Sequence, residues 1–197
     1  MTGVQTCALP IFWDVEKSVQ VLHNAEQIDP LSPIPPAFLS FDYYMLRQYD
    51  KAVDVSNRSL QLNTSFLTEY TYMARIYLAM GNTRAADEAL NKIPPEAADG
   101  MALSTRAIIL ASSGKRKEAQ AMLAEMGKRS ETQYISPFEF ALVYIGLNDL
   151  DQAFVNLNKA YDDRSENLGF IRQMPYFDPI RNDPRYDELL RKIGFVQ

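Results

Sequence analysis

The sequence predicts an all-α fold, a stack of antiparallel helix pairs ended by a C-terminal capping helix. Three observations predict it. Small residues recur at Ser18, Ala52, Ala86, Ala119 and Ala153, at steps of 34, 34, 33 and 34. A second series, Ser40, Ala74, Ala107 and Ala141, runs at steps of 34, 33 and 34. Turn and break residues fall between and after the two series. A period of this size marks units that bury their apolar faces only by stacking on their neighbours. Two small sites per unit mean two close-packed helices.

The elements follow in chain order. A half unit over 14–30 carries one helix, with Ser18, Leu22 and Ala25 on one face, and Asp29-Pro30 ends it because proline cannot continue a helix. In the unit 33–66, Leu39 and Tyr43 flank Ser40, while Ser56 and Ser59 stand where larger residues are expected, so its second helix packs with less apolar area. In the unit 67–99, Met73 and Tyr77 flank Ala74, Gly81 marks the turn, Leu90 and Ile93 follow Ala86, and Pro94-Pro95 close the unit. The unit 100–133 repeats this with Leu110, Gly114, Leu123 and Met126. The unit 134–165 does so with Phe140, Tyr144, an Asn148-Asp149 turn, Leu157 and Ala160. A cap over 166–197 comes last. Residues 168–173 form a short helix, three prolines force an irregular connection, and Asp183 caps a final helix with Pro184 in its first turn. Tyr186, Leu189, Leu190 and Ile193 give that helix one buried face, and Gly194 stops it.

On these residues the chain resembles the tetratricopeptide repeat (TPR) family, whose pattern is W-x2-L-G-x2-Y, then A-x3-F, then P in about 34 residues. Tyr70 stands for the tryptophan, Met73-Ala74 for Leu-Gly, and Tyr77, Gly81, Ala86, Leu90 and Pro94 follow in register. The next unit departs at Arg106, where the family has leucine. The resemblance spans residues 14–165. It implies a right-handed α-α superhelix, read as one solenoid domain over 13–197, and a non-enzymatic scaffold for a protein or peptide partner. The ending FDPIRNDPRYDELLRKIG resembles the C-terminal ends of bacterial proteins whose repeats often follow a serine/threonine kinase, a nucleotide cyclase or a winged-helix DNA-binding domain. That implies the C-terminal part of a larger bacterial signalling or regulatory protein. The alternatives are the regulatory tail of such a kinase or cyclase, or the sensor domain of a winged-helix activator. The compartment differs between them: cytoplasmic, or outside the membrane for the sensor.

The first eleven residues, MTGVQTCALPI, break the pattern. Carrying the repeat phase backwards would put Pro10 inside a helix, at a cost of about 3 kcal/mol. No Lys or Arg precedes Lys17, so the stretch does not read as a secretory signal. It resembles, codon for codon, the translation of a common short-read sequencing adapter started at GTG. The expectation is a non-native leader over 1–12 joined to a truncated reading frame, with native sequence from about Trp13. The helix over 14–29 would then lack its partner helix. Val15, Val19 and Leu22 are expected to face water, with weak self-association through that helix as the consequence.

Composition narrows the function classes. Twenty Lys and Arg oppose 25 Asp and Glu, a net charge of −5 without a long basic cluster, which argues against nucleic-acid binding. No apolar run approaches the roughly 18–20 residues that span a bilayer. A single cysteine, Cys7, leaves no disulfide framework or cysteine-rich metal site, and the eight glycines form no phosphate-cradling cluster, so no cofactor or metal is expected. His23, the only histidine, lies three residues before Glu26 on a helix and reads as a solvated face rather than a catalytic base. No catalytic group is assigned.

The resemblance places ligands along the concave surface built by the first helix of each unit. Its inward sites map to Ile34, Ala37, Phe41 and Tyr44, then Thr68, Thr71, Arg75 and Leu78. Met101, Ser104 and Ile108 follow, and Ile135, Phe138 and Leu142 complete the row. The result is an apolar groove with one cation, suited to an amphipathic helix or a hydrophobic peptide. One arginine is too few donors to clamp an acidic C-terminal tail. The chain's own tail, a neighbouring domain or a second copy are the competing occupants.

Overall fold

The computed structural model describes residues 14–195. The expectations for the leader 1–12 and for Trp13 lie outside the described residues. Within them the chain is an all-α helical-repeat solenoid, without strands. The helices are α1 (Val15–Ile28), α2 (Ile34–Met45), α3 (Tyr49–Leu62), α4 (Leu67–Ala79), α5 (Thr83–Leu90), α6 (Gly100–Ser112), α7 (Arg116–Arg129), α8 (Pro137–Gly146), α9 (Leu150–Asp162) and α10 (Pro184–Ile193). Helices α2 and α3, α4 and α5, α6 and α7, and α8 and α9 pack as pairs, and α2, α4, α6 and α8 also touch in series. That series forms one wall of the solenoid.

The small-residue lattice explains why the pairs pack so closely. Ser40, Ala52, Ala74, Ala86, Ala107, Ala119, Ala141 and Ala153 are all fully buried, each at a helix crossing where a larger side chain would push the backbones apart. Ser18 on α1 is half-buried; among the described residues α1 packs chiefly on α2.

The turns inside the pairs share one backbone solution. Arg47, Gly81, Gly114 and Asn148 occupy equivalent positions and all have positive φ, at 59°, 76°, 75° and 55°. At each, two amides turn back onto the end of the preceding helix, as when Gly81 N–H donates to the Leu78 carbonyl and Asn82 N–H to that of Tyr77. This satisfies carbonyls that the helix end would otherwise leave unpaired. Glycine takes this conformation freely, whereas Arg47 and Asn148 hold it against a steric penalty.

Two expectations change, and a departure from the family pattern finds its partner. Val15 is buried, and Val19 and Leu22 are partly buried against the cluster that contains Leu39 and Tyr43, because α2 covers this face of α1. The exposed apolar residues of α1 are instead Val21 and Ile28. His23 is not simply solvated. Its Nε2 lies 3.0 Å from the Tyr43 hydroxyl and its Nδ1 3.1 Å from Glu26, while Arg58 pairs with Glu26 at 2.9 Å, so α1 is tied to both helices of the next pair. Arg106, which replaces the leucine of the repeat pattern, reaches α5 and donates to Asp87 at 3.2 Å and to Asn91 at 3.1 Å. A polar bridge stands where the family pattern has an apolar residue.

Beyond α9 come two 3-10 helices, Glu166–Phe170 and Pro175–Ile180, and then α10. Asp183 accepts from the Arg185 amide at the start of α10, Pro184 stands at its first turn and Gly194 ends it with φ 98°.

A candidate functional site on the strapped concave face

A 3-10 helix has three residues per turn, so residues three apart share a face. The segment 166–180 has two such faces. Leu168, Ile171, Met174, Phe177 and Ile180 are all buried, in one core with Phe138, Leu157, Tyr186 and Leu189 from α8, α9 and α10. This stripe fastens the segment to the last pair and the capping helix. The second stripe points elsewhere: Phe170 and Tyr176 lie across the concave wall and meet α2 and α4. The Phe170 ring stands edge-on to Phe41 at 5.3 Å between centroids, and Phe41 stacks on Tyr72 at 5.2 Å. Tyr176 lies 6.4 Å from Tyr44, and the Arg75 guanidinium sits 5.5 Å from the Tyr176 ring. At the far end Arg47 pairs with Asp178 at 2.7 Å, as does Arg181. The segment therefore acts as a strap from the last pair back to the first.

The strap divides the expected groove into covered and open parts. On its flank toward the helix N-termini lies a cavity of about 540 Å³ lined by Phe38, Phe41, Tyr72, Arg75, Met101, Glu139 and strap residues from Glu166 to Met174. On the other flank a cavity of about 320 Å³ is lined by Tyr44, Arg75, Leu78, Ile108, Leu142 and the strap's Pro175, Tyr176 and Pro179. Of the mapped residues, Phe41, Arg75 and Met101 thus meet in the first cavity, and Tyr44, Arg75, Leu78, Ile108 and Leu142 in the second. Ala37, Thr71, Ser104, Ile135 and Phe138 are buried in helix packing and line neither, with Phe138 held 5.6 Å from Phe177. Thr68 is half-buried and also lines neither. Ile34 remains 54% exposed on the same face of α2 as Phe38, which is 46% exposed.

Phe38, Tyr72 and the strap residues were missed by the mapping. Phe38 was legible, since it stands four residues after Ile34 and three before Phe41.

The groove's expected cation is not open. Arg75 is 3% exposed, and its Nη2 pairs with Glu139 at 2.8 Å while its Nε donates to Thr105 Oγ1 at 3.0 Å. Ser104 donates to the same Glu139 carboxylate. Burial is the largest influence on Arg75 and disfavours its charge, but the Glu139 carboxylate together with Tyr176, Tyr44 and Tyr72 outweighs it and holds the guanidinium protonated. Burial also pushes the Tyr176 hydroxyl up to about 12, against the pull of Arg75. A second acid, Glu69 at the first turn of α4, is fully buried and accepts from Ser40 Oγ at 2.8 Å. Burial pushes its carboxyl up to about 8, despite the Ser40 hydrogen bond that pulls it down. Glu69 is therefore mostly neutral at pH 7.

Among the described residues, no three His, Cys, Asp or Glu side chains gather as metal ligands would, and no helix is long and apolar enough to cross a membrane.

No family model and no curated protein matches the sequence. Among solved structures, the chain is similar to YrrB, described as a TPR protein with an unusual peptide-binding site, at a TM-score of 0.51 and 16% identity over 91% of this chain and 93% of that one. The likeness is one of fold: both are all-α helical-repeat solenoids.

Proposed function

We propose that the chain is a non-enzymatic interaction module that holds a peptide or an amphipathic helix on its concave face. The observation that carries this reading is the cavity of about 540 Å³ beside the strap, walled by Phe38, Phe41, Tyr72 and Phe170. A concave apolar site with aromatic walls suits the large apolar side chains that anchor peptides and helices in grooves. The peptide-binding site ascribed to YrrB, a protein of the same fold, supports the choice of ligand class. The resemblance of the chain's ending to those of bacterial multidomain proteins supports placing the module in a larger signalling or regulatory protein.

The test is selection of random peptides displayed against the full chain, followed by binding to a folded Phe38→Glu variant. Enriched peptides should lose at least about tenfold in affinity, since a charge at the cavity wall must be desolvated when the ligand seats. Peptides that bind the variant equally well would place the site elsewhere.

A further inference from the structure

The strap has the build of a ligand that belongs to the protein. Its stripe at 168, 171, 174, 177 and 180 is buried without gaps and anchors it to α8, α9 and α10. Its other stripe contrasts with that. Phe170 and Tyr176 are only partly buried, Pro179 is exposed, and cavities lie on both flanks. What this side of the strap meets on the first two pairs is aromatic or cationic: Phe170 meets Phe41, which stacks on Tyr72, Tyr176 meets Tyr44 and Arg75, and the neighbouring Asp178 pairs with Arg47 at the turn. The Arg47–Asp178 pair bridges 131 residues of sequence and is nearly half exposed, where an ion pair adds little stability. Thus one face of the strap is core and the other is a docked peptide surface.

We infer that residues 166–180 are a built-in occupant of the concave face, and that the external partner is a peptide of the same chemistry, an aromatic residue, a second six positions later, and an acid two beyond that. Phe170, Tyr176 and Asp178 have this spacing and mark the three subsites: the Phe41–Tyr72 stack, the space between Tyr44 and Arg75, and the Arg47 guanidinium. A partner reaches full contact by displacing the strap's aromatic stripe while the anchoring stripe stays in place. Its apparent affinity is the intrinsic affinity multiplied by the fraction of molecules in which the strap is undocked. The inference rests on the reading of the concave face as a peptide site.

The test uses a fluorescent synthetic peptide with the sequence of residues 165–181 and three full-length chains: wild type, Phe170→Ala plus Tyr176→Ala, and Phe170→Leu plus Tyr176→Leu. The leucine chain keeps apolar volume if the alanine chain folds poorly. Both variants should bind the peptide at least tenfold more tightly than wild type, and adding Phe41→Glu should remove that gain. Equal affinity for all three folded chains would overturn the built-in occupant and leave the peptide site standing. No binding to any of them would overturn both. Sedimentation of the wild-type chain as a dimer that exchanges straps between copies would overturn the intramolecular assignment.

Discussion

Arg75 on α4 and Glu139 on α8 meet at 2.8 Å, 64 residues apart in sequence, with the side chains of Ser104 and Thr105 on α6 hydrogen-bonded to them. Three successive pairs are thereby fastened through one buried network beneath the strap. Such a pair is weak evidence for net stability, because desolvation offsets much of the attraction, but breaking it leaves a buried charge alone. Arg75→Met and Glu139→Leu should each destabilise by about 3–5 kcal/mol, and the double variant Arg75→Met plus Glu139→Leu by clearly less than the sum. Urea melts of the four chains measure this. Additive losses would mean that the two groups do not act as a pair.

Glu69 makes stability depend on pH. Its carboxyl is raised from 4.5 to about 8 by burial, so the folded chain keeps a proton that the unfolded chain releases. Stability contributed by the neutral carboxyl is fully present below pH 4.5 and is lost as pH rises toward 8. The loss is on the order of 5 kcal/mol, since each tenfold difference in proton affinity between the folded and unfolded chains is worth about 1.4 kcal/mol. Glu69→Gln keeps the shape and cannot ionise. The difference in unfolding free energy between this variant and wild type should grow from pH 5 to pH 8 and then level off. A constant difference across that range would show that Glu69 titrates normally.

The turn at Gly81 gives a purely conformational prediction. A Cβ there meets no atom within 4 Å, so space is not the obstacle, but φ is +76°. Gly81→Ala should cost about 1 kcal/mol. At the equivalent Asn148, with φ 55°, Asn148→Gly should be neutral or slightly stabilising. Thermal melts of both variants check the pair, and a tolerated Gly81→Ala would contradict the turn geometry.

The two faces of the strap should differ in energy. Phe177 is fully buried in the core with Phe138, so Phe177→Ala should destabilise by about 3–5 kcal/mol. Tyr176, one residue away on the other stripe, is half-buried, and Tyr176→Ala should cost about 1–2 kcal/mol. Comparable losses by chemical denaturation would mean that the strap is uniformly core.

The parts of this fold that were legible in the sequence are those where geometry restricts residue type. Close helix crossings require Ser40, Ala74, Ala107 and Ala141, and positive φ at two turns favours Gly81 and Gly114. Arg47 adopts the same turn and leaves no compositional trace, because an arginine with positive φ looks like any other arginine in a sequence. The concave residues followed from helix phase, but what covers them did not. The strap is proline-rich and repeats at three, and a search for periods of 3.6 and 2 reads it as irregular, although the stripe from Leu168 to Ile180 was present to be counted. Arg75 read as an open cation because its partner Glu139 is two units away, and no local spacing connects them.

The claim on which the rest depends is that the strap's aromatic stripe lies on the first two pairs. The most direct measurement is a nuclear Overhauser spectrum with selectively labelled Phe and Tyr rings. Cross-peaks between Phe41 and Phe170 and between Tyr44 and Tyr176 are predicted, from ring centroids 5.3 and 6.4 Å apart, and the first set should vanish in Phe170→Leu. Cross-peaks between Phe138 and Phe177 without the other two would contradict the account, since the strap would then be anchored to the cap and absent from the concave face.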